Sequence, residues 1–571
     1  MREGADEVGP RAGGLRCAVL LAAAYAALVA WFTWPLAARA GSAMPCTLPV
    51  CLFDGILSFW ALAWETRALV TAPLRLAEAN IYHPAPHALF YGHTGLAALP
   101  YFAPVYLASG NAVLASNVAF LTALTLTLAA THAAVRRWTG SHLAGLVAAW
   151  MVLLNRWYVW GFVATAPHLA VLQYFPPIIL LAATPPATGR GWGLLLALVV
   201  AQCLTDPMYF TPAVLLPLAL VATARLVRPA ARPGAVRLLG VVVAGAALVA
   251  AASAGYLVIR ADNPALATQS LWRSGAVFPD SLRARLVAPG SPASLPLAMW
   301  AFLAAGAAAF LVPAARGRAP AALRRGWAQA TLWSAVAIVI GLAPFVTVGG
   351  TLVALPQAWV TRWVPLYDFI RTPSRLAVAA VPGLALLGGL AFAQLGSLLP
   401  AAGRWRRAGG TGRAAMALGV GLVMWWPHAG GLARPPYPLV PTPGPSEFTR
   451  LVSEMGGPLL ELPIGPDGMN PNGHAFAMYR SLFHWQPLLD GYASFWPAGF
   501  RERMALAVRL PDRAALDALV RRTGLRLVWV HLNALRPYDR VRWERGATPG
   551  LRRIAADADN VLFAVEPRAG A

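Results

Sequence analysis

The chain has 571 residues, 58% of them hydrophobic and only 12% charged, with a mean hydropathy of +0.57. Together with repeated apolar stretches of about 20 residues, this excludes an ordinary soluble enzyme and fits a multi-pass α-helical membrane protein. The net charge of +23 comes from arginine alone, since no lysine occurs, and it is dispersed among short loops instead of forming a stripe, which excludes nucleic acid as a partner.

The first predicted span runs from Cys17 to Ala38 behind Arg2, Arg11 and Arg16, which places the N-terminus in the cytoplasm. Ala38-Arg39-Ala40 imitates a signal-peptidase site, but the apolar stretch exceeds the length of a signal core, so an uncleaved anchor is expected. A long outer loop, 39–110, follows. Within it Ile56 to Thr71 sets Phe59, Trp60, Leu62 and Ala63 against Glu65 and Arg67, as an interfacial amphipathic helix would, and 95–109 is similar. Further spans are predicted near 111–134, 142–158, 168–184, 191–205, 208–224, 238–259, 295–313, 328–348, 376–399 and 414–430. That makes about 11 transmembrane helices, or up to 13 if both segments of the first loop also cross.

Alternating these spans puts Arg136 and Arg137, Arg190, the arginines of 225–237, those of 316–325 and those of 404–413 on the cytoplasmic side. None of these connections holds an acid. The seven carboxylates between Glu7 and Glu447, namely Asp54, Glu65, Glu78, Asp206, Asp262, Asp280 and Asp368, all fall on the other side. Residues 1–430 thus read as a polytopic membrane domain and 431–571 as a linker and a small soluble α/β domain, extracytoplasmic by the same count. Pro435-Pro436 and Pro441-Thr442-Pro443-Gly444-Pro445 give the linker its stiffness. Beyond it, Leu459–Ile464, Leu525–Leu532 and Asn560–Val565 read as strands, and Pro511–Thr523 as a helix with Asp512 near its start.

Asp54 precedes the first interfacial helix. A carboxylate there serves either as a general base on an acceptor hydroxyl or as an N-cap. Asp206, in Thr205-Asp206-Pro207, is either an acid held at membrane depth for chemistry or a turn residue. Arg371 and Arg375, with Arg362 behind them, suit a phosphate, whereas pairing with Asp368 or with lipid headgroups explains each one equally well. His83, His87 and His93, with Tyr82, lie in a Pro- and Gly-rich stretch. Their spacing matches no strong metal signature, so no metal site is assigned, although three imidazoles leave room for a divalent metal; otherwise they bind an acceptor or shape the loop. Trp157, Tyr158 and Trp160 offer sugar stacking or an interfacial belt. The cluster His474, Tyr479, His484, Trp485, Asp490 and Tyr492 offers acceptor contacts or domain packing. Cys46 and Cys51 share the outer loop, where an oxidising exterior permits a disulfide. No phosphate-binding loop, dinucleotide fingerprint or nucleophile elbow occurs, which argues against a nucleotide-driven pump or a nucleotide-sugar enzyme.

The order of one span, a long outer loop with an early aspartate, many spans and an outer C-terminal domain resembles the C-type membrane glycosyltransferases. Local phrases are similar to bacterial members of that group: Asp54-Gly55-Ile56-Leu57 with Trp60 and Trp64, Ala79-Asn80-Ile81-Tyr82-His83-Pro84, Tyr367 to Arg375, Glu461-Leu462-Pro463 and Asp490-Gly491-Tyr492. The resemblance implies a multi-pass enzyme of the bacterial cytoplasmic (inner) membrane. It would move a sugar from a polyprenyl-phosphate donor to a glycan, lipid or protein acceptor on the extracytoplasmic face, with Asp54 as base. Many members carry two adjacent acids there, whereas Asp54 lies between Phe53 and Gly55. A lipid or polysaccharide transporter and a non-catalytic membrane scaffold of the same fold are the alternatives. The near absence of charge in mid-span counts against transport.

Overall fold

The computed structural model describes residues 12–263, 286–287, 291–312, 320–342, 344–348, 350–358, 370, 372–398, 419, 421, 436–545 and 548–566. Most of the chain before residue 400 is helical. Eleven helices are described from α1 to α11: α1 Ala12–Phe32, α2 Asp54–Thr71, α3 Leu99–Ser109, α4 Ala112–Thr139, α5 His142–Leu153, α6 Arg156–Val159, α7 Phe175–Ala183, α8 Gly189–Cys203, α9 Pro207–Leu226, α10 Arg232–Ala252 and α11 Ala254–Asp262. Leu297–Leu311, Ala321–Gly341 and Ala380–Ser397 continue the bundle. Among the described residues four helices are long and apolar enough to cross a bilayer, or five if α5 and the bent segment after it form one broken span.

Several expected spans differ in form. The 142–158 segment breaks after Leu153, because Asn155 takes an extended backbone and its side chain accepts the N–H of Tyr158; the two halves meet at 63°. The 168–184 segment opens with a 3-10 turn, Pro167–Ala170, and leaves only nine residues to α7. The 238–259 segment divides at Ser253 into α10 and α11. The helix expected at 328–348 starts at Ala321, carrying Arg324 and Arg325 inside it, and stops at Gly341; Phe345–Val348 (β2) then pairs antiparallel with Thr351–Ala354 (β3). The 414–430 span lies outside the described residues apart from Gly419 and Gly421.

The C-terminal part carries a four-stranded sheet of order β5-β6-β8-β7, from Leu459–Leu462, Leu527–His531, Asn560–Val565 and Leu551–Ala556. β5 and β6 are parallel, so the chain must cross over between them, and the helices Pro471–Ser481, Phe500–Ala507 and Arg513–Thr523 do so. Asp512 caps the last of these through Ala514 N–H at 2.7 Å. The first outer loop is packed into this part. Leu57, Trp60, Ile81, Tyr82, Leu89 and Phe90 share one buried apolar cluster with Leu459, Val528 and Phe563. Backbone bonds run from Tyr82 N–H to Asp490 O, from His83 N–H to Leu488 O and from Phe495 N–H to Tyr91 O.

The described end of the proline-rich linker, from Pro436, packs back on the first loop as a clasp. Leu439–Pro441 (β4) pairs antiparallel with Ala43–Pro45 (β1), Tyr437 N–H reaches Trp34 O, and its hydroxyl donates to Val159 O at 2.6 Å. Cys46 and Cys51 form a disulfide just before α2.

Candidate functional site

The elements converge on a cavity of about 200 Å³ lined by Asp54, His93, His168, Asp206, Arg375 and Tyr492, among others. Asp54 opens α2, but its side chain does not cap that helix. Phe53 holds the cap position and no side chain serves as cap, so the N-cap expected of Asp54 is not formed. The carboxylate turns outward instead, accepting the Tyr492 hydroxyl on Oδ1 at 2.6 Å and facing Arg375 Nη2 from Oδ2 at 3.5 Å. The Arg375 guanidinium lies 3.6 Å from the centroid of Phe162, which holds it flat against the cavity wall.

Asp206 closes the opposite end. It caps α9, with Oδ1 accepting the N–H groups of Met208 and Tyr209 at 3.1 and 3.2 Å, and Pro207 fills the first helical position. Its Oδ2 lies 3.6 Å from His168 Nε2, and both residues are buried. Asp206 thus caps α9 and lines the cavity at once. Burial pushes its carboxyl up to about 6, against the influence of His93, the two N–H groups and Arg375. His93 stacks on His168, ring centroids 3.9 Å apart and 17° from parallel. Burial, then the neighbouring His168, lowers His93 to about 3, so it is a neutral imidazole at physiological pH, with Nε2 unpartnered among the described residues.

The first turn of α2 lines this space together with the Arg375 guanidinium, which favours an anion beside the carboxylate, whereas the first free N–H groups of α9 are taken by Asp206.

The remaining sequence-derived candidates are placed elsewhere. Tyr82 is buried against the C-terminal part, its hydroxyl donating to Phe495 O at 3.0 Å. His83 Nε2 lies 3.1 Å from Thr523 O, and His87 Nδ1 lies 3.1 Å from Glu78. Of the three loop histidines, only His93 reaches the cavity. Arg371 and Arg362, like Asp368, lie outside the described residues. Tyr158 is buried with its hydroxyl on Ala170 O at 2.6 Å, and Trp160 packs on Tyr437, so these aromatics brace the loop that carries His168. No metal-ligand set is assembled among the described residues. A guanidinium already faces Asp54, two of the three loop histidines are committed elsewhere, and among the described residues no group of three His, Cys, Asp or Glu is spaced to hold an ion.

Sequence reasoning missed His168 and Phe162. The signal for His168 was an imidazole at the outer end of an apolar segment, beside Pro167. Tyr492 was placed among acceptor contacts, and its hydroxyl bond to Asp54 was not foreseen.

No protein-family model matches the chain, and no curated protein matches it in sequence. In structure it is similar to the archaeal oligosaccharyltransferase AglB from Archaeoglobus fulgidus in complex with an inhibitory peptide and a dolichol-phosphate. Identity is 10%, 98% of this chain and 75% of that one are covered, and the TM-score is 0.47. The apo oligosaccharyltransferase of the same organism gives 12% identity, 97% and 74% coverage and a TM-score of 0.45. ArnT from Cupriavidus metallidurans in the apo state gives 13%, 97% and 98%, and 0.36. The chemistry of the cavity stands on its own residues.

Proposed function

We propose that this protein is an integral membrane glycosyltransferase that moves a sugar from a polyprenyl-phosphate donor to an acceptor hydroxyl at the extracytoplasmic face of a cytoplasmic membrane. On this reading residues 1–430 form the polytopic domain with about 11 spans, and 431–571 belong outside the cytoplasm. The observation that carries it is the Asp54 carboxylate held between the Arg375 guanidinium and the Tyr492 hydroxyl inside the cavity. The segregation of acids from arginine-rich connections supports the chosen face.

In the transfer step the acceptor oxygen bonds to the anomeric carbon while the bond from that carbon to the phosphate oxygen breaks. The acceptor proton passes to Asp54, and the electron pair leaves with polyprenyl phosphate. A donor phosphate competes with Asp54 for Arg375, so donor binding frees Oδ2 to take the acceptor proton. As the leaving phosphate gains charge, Arg375 stabilises it, aided by the N-terminus of α2. Arg371 and Arg362 are proposed as further phosphate ligands. Asp206 and the stacked His93 and His168 form the far wall, where Asp206 keeps His168 in place.

The test is release of polyprenyl phosphate by the purified protein from a panel of polyprenyl-phosphate hexoses and pentoses. Release with the wild type and its loss in Asp54→Asn, at equal membrane levels, supports the assignment. Equal transfer by the two proteins rejects Asp54 as base.

A further inference from the structure

A second cleft, of about 420 Å³, opens farther along α2, between that helix, the loop after it and the C-terminal part. Its walls are Trp64 and Trp485, ring centroids 5.8 Å apart and inclined at 51°. Arg67 lies over Trp485 at 5.4 Å, and Arg75 stands at the rim. Both guanidiniums are exposed, and neither faces a carboxylate among the described residues. The one acid of the cleft, Glu78, is engaged by His87, through Nδ1 at 3.1 Å and the backbone N–H at 3.2 Å. At the base lies Asn80, 8% exposed, with Oδ1 unpartnered among the described residues.

The backbone supplies a second sign. Trp485 has φ +54°, and its N–H closes on Ser481 O beyond the end of the Pro471–Ser481 helix. Helices usually stop there on glycine, because a side chain crowds the left-handed conformation. A tryptophan at such a position is held by what its ring does, and the ring forms the cleft wall.

We infer that this cleft binds an anionic saccharide, a chain bearing uronate or phosphate groups, as the distal part of the acceptor. Aromatic faces take the apolar face of a sugar ring, the Asn80 amide takes a hydroxyl, and the two guanidiniums, which have no carboxylate partner among the described residues, take the acid groups. The cleft and the cavity both lie along α2 and share no lining residue. Arg67 lies thirteen residues after Asp54 on one helix, which sets the two sites roughly 20 Å apart. The acceptor role rests on the transfer reading, whereas the binding itself does not.

The purified protein in detergent micelles is titrated with trigalacturonate, with maltotriose as neutral control and phosphatidylglycerol vesicles as the lipid alternative, following tryptophan fluorescence. Saturable trigalacturonate binding is expected, with maltotriose weaker. The Arg67→Ala/Arg75→Ala double variant should bind about tenfold more weakly or worse, consistent with loss of charge-assisted hydrogen bonds. Asp54→Asn should bind as the wild type does. Equal affinity for both trisaccharides, unchanged binding by the arginine variant, or displacement of trigalacturonate by the vesicles alone overturns the inference. Binding intact alongside undiminished transfer by Asp54→Asn would reject the base assignment and leave the cleft standing; no binding alongside lost transfer would do the reverse.

Discussion

Glu461 and Asp490, in the C-terminal part, and Asp54 and Asp206, at the cavity, are all shielded acids, yet they are partnered differently. Glu461 Oε2 receives Arg480 at 2.6 Å and His531 at 2.8 Å, and Asp490 receives His474 at 2.9 Å and the Glu461 N–H at 2.8 Å. Burial alone would raise Glu461, but Arg480 and then His531 outweigh it and hold the carboxyl low. At the cavity the partners stand off, at 3.5 Å for Asp54 and Arg375 and at 3.6 Å for Asp206 and His168. Close partners fix a fold. Loose ones around an open space leave groups able to exchange partners, as the proposed transfer would use them.

The contrast is open to direct attack. Asp54→Asn should cost transfer about 10²- to 10⁴-fold, the range of a general base, with no change in melting temperature. Glu461→Gln should do the opposite in kind. It strips the charge partner from Arg480 and His531 and destabilises the C-terminal part by about 2–3 kcal/mol, below the figure for fully buried pairs because Arg480 remains partly exposed. Limited proteolysis and thermal unfolding would report that loss. If Asp54→Asn unfolds the protein and Glu461→Gln does not, the assignment of roles is reversed.

Tyr492→Phe removes one hydrogen bond to a charged acceptor and should lower transfer about tenfold while leaving melting unchanged. A pH-dependent effect concerns Glu65, buried on α2, with Oε1 accepting the Gly95 N–H at 2.9 Å. Burial pushes its carboxyl up to about 8 from the ordinary 4.5, the Gly95 bond opposing. The folded chain therefore keeps a proton that the unfolded chain releases. Stability from this group is complete below about pH 4.5 and is lost as pH rises through 8. Glu65→Gln should flatten that slope in a melting-temperature series and leave acid stability as it was. An unchanged slope would remove Glu65 from the account.

The sequence made the membrane class legible because hydropathy over about 20 residues is a local property. Three strands of the C-terminal sheet were legible for the same reason. β7 was not, since Arg552 and Arg553 interrupt it at an edge that needs no apolar face. Breaks at Asn155 and Ser253 were hidden because a single polar residue barely alters a span's average. In the candidate site, Asp54 stood out as the acid before the interfacial helix, Asp206 as an acid at membrane depth, Arg375 as an outer cation suited to a phosphate and His93 as one of three histidines in a Pro- and Gly-rich stretch. His168 was hidden among apolar neighbours at a span's edge. The partnership of Tyr492 with Asp54, 438 residues apart, depends on tertiary packing that no local pattern records.

The clasp formed by β1 with β4, and by Tyr437 with Trp34 and Val159, ties the earliest part of the chain to a late one. Proteins are synthesised from the N-terminus, so Asp54 is delivered long before Tyr492 exists. The nascent chain carries Asp54 without its hydroxyl partner and a cavity without one wall. Both are completed only when the last quarter of the chain folds onto the first loop.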